Sequence, residues 1–157
     1  MRSKLFFQKL IRLNVIIFFS SFLLISFAIS TITLFFPKTS GDVNSNIVLD
    51  SIFEKIFFGI ILVPLIETLI FQSLIISVIC KLIKRARSNF YPAIVFSAFA
   101  FSLNHSYNAY YMIYTFIVGT ILAFAYYIAR YRKESAVLLV FAIHATYNFT
   151  SFLLDAI

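Results

Sequence analysis

Charge, cysteine and the chain-breaking residues are all scarce in this sequence. Of 157 residues only 12% are charged and 6 are Asp or Glu, whereas 62% are hydrophobic. Soluble domains carry about 25% charged and about 45–50% apolar residues, so the composition excludes a water-soluble fold. The single cysteine, Cys80, leaves no intramolecular disulfide and no cysteine spacing of the kind that binds metal. It reads as a small apolar residue near a helix end. With three prolines and three glycines there is no Pro-rich or Gly/Ser-rich linker, and no extended charged one. Residues 1–157 therefore read as a single integral membrane domain without internal repeats.

What is abundant is long apolar sequence. A helix needs about 20 apolar residues to cross the hydrocarbon core, and such runs occur at about 13–36, 54–80, 90–108, 109–129 and 136–155. The expected fold is all-α, a polytopic transmembrane bundle of about five helices: a first span over 13–36 and a four-helix core over 54–155. The polar break Asn104, His105, Ser106, Tyr107 and Asn108 reads as a tight turn between the third and fourth spans. The run from Leu13 to Phe36 is too long for a typical signal-peptide core of about 7–15 residues, so it is taken as a retained helix, with cleavage after Ala28 or Ser30 as the other reading.

The net charge of +7 does not point to nucleic acid, because the cations are not spread over one solvated face. They form three clusters between apolar runs: Arg2, Lys4, Lys9 and Arg12; Lys81, Lys84, Arg85 and Arg87; Arg130, Arg132 and Lys133. Five spans with a cytoplasmic N-terminus put all three clusters on the cytoplasmic side, as the positive-inside rule requires. Lys38 and Lys55 fall in the opposite loop with Asp42, Asp50 and Glu54. The tyrosines agree, with Tyr107, Tyr110 and Tyr111 at one end of the fourth span and Tyr126, Tyr127 and Tyr131 at the other, as an interfacial belt would be. The expected location is the cell membrane, in a multi-pass protein.

One charged side chain, Glu67, lies deep in an apolar run, where an ionisable group costs on the order of 2.5–3.5 kcal/mol on insertion scales. The only two histidines, His105 and His144, also fall within or at the edge of spans, and Asn148 shares a helix face with His144. Counting helix rise from Cys80, Tyr91 and Ala136 puts Glu67, His105 and Asn148 at depths of about 20, 21 and 18 Å, with His144 at about 12 Å. Polar residues can serve merely to tie helices together, but three ionisable groups converging at depth are functional candidates. Pro64, just before Glu67, removes a backbone donor and is placed to kink the second span and free carbonyl groups beside the carboxylate.

At these positions the sequence resembles the CAAX-protease and bacteriocin-processing (CPBP/Abi) family of intramembrane peptidases, which includes type II CAAX prenyl endopeptidases. The resemblance covers about Pro64 to Asn148. Three family motifs stand in order on separate spans: Glu-Glu-x-x-x-Arg, Phe-x-x-x-His and His-x-x-x-Asn/Asp. The second reads Phe101-Ser102-Leu103-Asn104-His105 and the third His144-Ala145-Thr146-Tyr147-Asn148. The first departs from the pattern: Glu67 is kept, but Thr68 replaces the second Glu and Gln72 replaces the Arg.

The resemblance implies an endopeptidase in which Glu67 with His105 activates water and His144 with Asn148 stabilises the oxyanion, with no cofactor required. A zinc site made of Glu67, His105 and His144 is the other mechanism, since two histidines and a carboxylate form a known catalytic set. The implied partners are the lipid bilayer and a membrane-anchored protein or peptide substrate, with a homo-oligomer left open. A non-catalytic immunity or scaffold protein derived from the family is the rival reading. A small transporter subunit using Glu67 as its proton site is another.

Overall fold

The computed structural model describes residues 2–31, 51–83 and 90–155, and the regular elements among them are all helical. Six helices follow in order: α1 (Arg2–Arg12), α2 (Val15–Ser30), α3 (Ile52–Leu82), α4 (Phe90–Leu103), α5 (Ala109–Ala129) and α6 (Ala136–Asp155). Of these, α3, α5 and α6 are long and apolar enough to cross a membrane. The pair α1 and α2, bent by 112°, is a fourth candidate. The helical membrane bundle expected from hydropathy is what forms. Residues 32–36 of the expected first span lie outside the described residues, as do Lys38, Asp42, Asp50, Lys84, Arg85 and Arg87.

The expected third span is shorter than its apolar run. Helix α4 has 14 residues, or about 21 Å of rise, against a hydrocarbon core of about 30 Å. It ends because the polar run begins. The Asn104 and His105 amides fold back on the carbonyls of Ala100 (3.3 Å) and Ser102 (3.0 Å), and Asn108 then caps α5 by accepting from the Tyr111 amide at 2.8 Å.

Helix α3 stays one helix through Pro64 by widening rather than breaking. A capping box between Ser51 and Glu54 starts it, and π-helical stretches at Phe57–Leu62 and Thr68–Ile75 flank the α-helical turn Val63–Glu67. In the first stretch the Val63 amide donates to Phe58, five residues back. By the same spacing the Gly59 carbonyl would await Pro64, which has no N–H. Asn148 on α6 supplies the missing donor, its Nδ2 lying 3.0 Å from the Gly59 oxygen. In the second stretch Ser97 on α4 donates to the Phe71 carbonyl at 2.9 Å.

Small residues let the helices approach closely, as is usual where lipid removes the hydrophobic drive between them. Ala93 and Ala98 of α4 and Gly119, Ala123 and Ala125 of α5 are all buried. Large apolar side chains such as Ile16, Leu24, Leu74, Phe96 and Ile113 face outward, a surface suited to lipid. Two of the tyrosines assigned to the interfacial belt are inside instead. Tyr126 and Tyr127 are buried, and Tyr126 donates to Ser73 Oγ at 2.8 Å. A phenol that finds a protein partner gains more by packing in the bundle than by standing in the headgroups.

The described members of the three basic clusters gather at one end. Arg130 at the end of α5 donates to Cys80 Sγ at the end of α3 (3.2 Å). Arg132 reaches the last turn of α1, giving hydrogen bonds to the carbonyls of Leu10 and Ile11 (both 3.0 Å) and Leu13 (2.8 Å). Its guanidinium also stacks 4.7 Å from the Phe18 ring centroid, and its side chain is 2% exposed. Its partner Glu134 is held below the usual carboxylate range by that guanidinium. A planar fork satisfies several orphan carbonyls of a helix end at once, which an ammonium cannot. Both Arg132→Ala and Arg132→Lys should therefore release α1, at a cost on the order of 2–3 kcal/mol. Amide hydrogen exchange over 5–12 should rise in both variants, and unchanged protection would refute the clamp.

Candidate active site

Three elements place the site. The α-helical turn of α3 between its π stretches presents Glu67, the turn after α4 presents Asn104 and His105, and the middle of α6 presents His144. Glu67 Oε1 lies 3.4 Å from His105 Nε2 and Oε2 lies 3.7 Å from His144 Nε2. Asn104 Nδ2 donates to Oε1 at 3.2 Å. Glu67 is 5% exposed and His144 is buried, while His105 is partly exposed. The His105 side is the more exposed side of the centre, and there the Tyr111 ring centroid is 6.1 Å from that imidazole.

Phe101 orients both imidazoles. Its carbonyl lies 2.8 Å from His105 Nδ1, so that nitrogen donates and Nε2 faces Glu67 with its lone pair. The Glu67 carboxylate and the His105 Nε2 lone pair, 3.4 Å apart, can thus hold one proton between them. The Phe101 ring stands 4.5 Å from the His105 ring and 5.8 Å from that of His144. It is itself braced edge-on by Phe71 at 5.7 Å.

Space for that ring depends on Gly119. A Cβ there would lie 2.9 Å from Phe101 Cδ1 and 3.3 Å from both Phe101 Cβ and Ala98 Cα. A fixed ring root and helix backbone cannot both give way. Gly119→Ala should therefore shift Phe101 and with it His105, destabilising the fold by about 1–3 kcal/mol. It should also lower any Glu67-dependent activity out of proportion to the loss of folded protein, as measured by activity per folded molecule in detergent.

The sequence-predicted residues are thus divided. Glu67, His105 and His144 come together, but Asn148 gives its amide to Gly59, roughly two helical turns from Glu67 along α3. The level shared with Glu67 on α6 is that of His144. The depth count misplaced this helix by about a turn because it started every helix at one plane. Asn104 was missed as a partner of the carboxylate. Its signal was present, a polar residue beside His105 at the edge of a span. Thr68 and Gln72, which replace the family's Glu and Arg, are fully buried, and Thr68 Oγ1, both Gln72 amide atoms and His144 Nδ1 have no protein partner.

Two imidazoles and a carboxylate are donors suited to zinc. The histidines address different oxygens of Glu67, and His144 Nδ1 lacks the outer hydrogen bond that orients a zinc-bound imidazole. Among the described residues no three His, Cys, Asp or Glu side chains are placed to hold a metal.

The family model described as "Type II CAAX prenyl endopeptidase Rce1-like" matches residues 49–150, most of the chain and all of the site. None of the curated proteins and none of the solved structures matches it.

Proposed function

Because the chain belongs to the Rce1-like family of type II CAAX prenyl endopeptidases, we propose that it is an intramembrane endopeptidase whose water is activated by Glu67 with His105. It would cleave a peptide bond of a membrane-associated protein or peptide, in a multi-pass protein of the cell membrane with its basic end cytoplasmic. The observation that carries this reading is the Glu67–His105 contact of 3.4 Å, with the imidazole fixed from behind by the Phe101 carbonyl.

The steps use only side chains already in place. A water held by the Glu67–His105 pair gives up a proton to it as the oxygen attacks the scissile carbonyl. The carbonyl oxygen becomes an oxyanion beside His144, which donates its Nε2 hydrogen in a site largely screened from water. The proton taken from water then passes from the Glu67–His105 pair to the departing amine as the C–N bond breaks. Asn148 acts at one remove, pinning α6 to the widened turn of α3 and so fixing the height of His144.

The test is peptidase profiling of the purified protein in nanodiscs with libraries of lipid-anchored peptides, comparing wild type with His105→Ala and His144→Ala. Cleavage by wild type, lost in both variants, supports the proposal. Reproducible cleavage that survives both changes would remove the two histidines from the chemistry, and no cleavage by wild type together with a cellular phenotype indifferent to both changes would favour the scaffold or immunity reading.

A further inference from the structure

Helix α1 plays no part in the chemistry above, yet its sequence and placement are those of a membrane-surface element. It contains Arg2, Lys4, Lys9 and Arg12 and no acid. It also meets α2 at 112°, so with α2 crossing the bilayer α1 lies along its surface. Phe7, Leu10 and Ile11, spaced by three and four residues, pack toward the bundle, with Phe7 edge-on to Phe124 at 6.2 Å and to Tyr127 at 6.4 Å. Arg132 holds the elbow between the two helices from inside.

Under this elbow runs a groove of about 270 Å³ with apolar walls, among them Phe6, Leu10, Phe22, Ile25, Ile121 and Phe124. Its rim is open, since Phe6 is 53% and Ile25 is 47% exposed. The one hydroxyl of α5 on its wall, that of Thr120, is turned away to the Phe116 carbonyl at 2.8 Å. On α1 the exposed Lys9 and Arg12 each directly precede a residue of the groove wall, Leu10 and Leu13. An apolar slot of this volume, opening beside two cations at the membrane surface, has the two-part chemistry of a phospholipid with a negative head.

We propose that this groove binds one acyl chain of an anionic phospholipid of the leaflet on which α1 rests, with the headgroup phosphate held by Lys9 and Arg12. The bound lipid completes the wall between α1, α2 and α5 and keeps α1 seated on the bundle. The site lies apart from Glu67 and is independent of the peptidase reading.

Binding is measured by native mass spectrometry and thermal shift on the delipidated full chain in neutral detergent. The probes are phosphatidylglycerol and phosphatidylcholine with the same acyl chains, and glycerol 3-phosphate. The anionic lipid should bind at least about tenfold more tightly than the zwitterionic one, since each cation near an anionic headgroup contributes on the order of a fivefold preference. The double change Lys9→Gln with Arg12→Gln should erase that preference and keep residual binding of both lipids. Ser21→Leu, which fills the groove, should weaken both lipids while helix content by circular dichroism stays unchanged. Glycerol 3-phosphate should give no shift at millimolar concentration. Equal binding of the two lipids by wild type, a preference that survives the double change, or a full shift from glycerol 3-phosphate alone would each overturn the proposal.

Discussion

Glu67→Gln should lower kcat/KM by about 10³-fold or more, the scale of removing a positioned general base, while leaving the thermal midpoint within a few degrees of wild type. The two effects separate because glutamine keeps the shape and most of the hydrogen bonding. Its Oε1 can still accept from Asn104, as Glu67 Oε1 does at 3.2 Å, while its amide nitrogen takes the place of Oε2, opposite His144. What it cannot do is take a proton from water. Glu67→Asp should also be strongly impaired, because a side chain one methylene shorter draws the carboxylate back from both imidazoles. Full activity of the glutamine variant, measured on a peptide that wild type cleaves, would remove Glu67 from the chemistry.

Gln72→Arg is expected to be the most destabilising single change in the bundle, by about 3–5 kcal/mol. The added cation would sit at a fully buried position, with Thr68 where the family pattern has its second acid. Thr68 and Gln72 are four apart on α3 and replace, together, an acid and a base of the family pattern. Losing both removes no net charge, whereas losing either alone would leave an uncompensated ion in the interior. Thr68→Glu with Gln72→Arg should therefore be far less damaging than the sum of the single changes, with a coupling of about 1–3 kcal/mol in a thermal-unfolding double-mutant cycle. Additive effects would show that the two positions do not form a pair.

Much of this was legible in the residues. Long apolar runs dictated helices, and α3, α5 and α6 follow them to within about two residues, because in lipid a chain must satisfy its own backbone and has little alternative to a helix. Scarcity picked out Glu67, His105 and His144: an ion is costly in hydrocarbon, so those present were candidates to meet. Three features were hidden for physical reasons. The π stretches leave no mark in hydropathy, although Pro64 signalled that a carbonyl would be freed. Asn148 looked like a catalytic neighbour because four-residue spacing sets a shared face but not a height, and the height is fixed by where α6 meets Gly59. Helix α1 was read only as a cluster of charges. Its amphipathic face emerges when Phe7, Leu10 and Ile11 are seen to pack inward while Lys9 and Arg12 stay out.

The early stop of α4 bears on hydration. A helix of about 21 Å in a hydrocarbon layer of about 30 Å ends short of the far face by about 9 Å. With Phe90 at one face of the hydrocarbon, the turn at 104–108 would be wetted through a dimple in the other leaflet, since its side-chain amides and hydroxyls cannot be left dry. The supply of hydrolytic water becomes a property of the lipid as well as of the protein. Longer-tailed lipids deepen the dimple at a cost that grows with mismatch, and turnover should slow as they do.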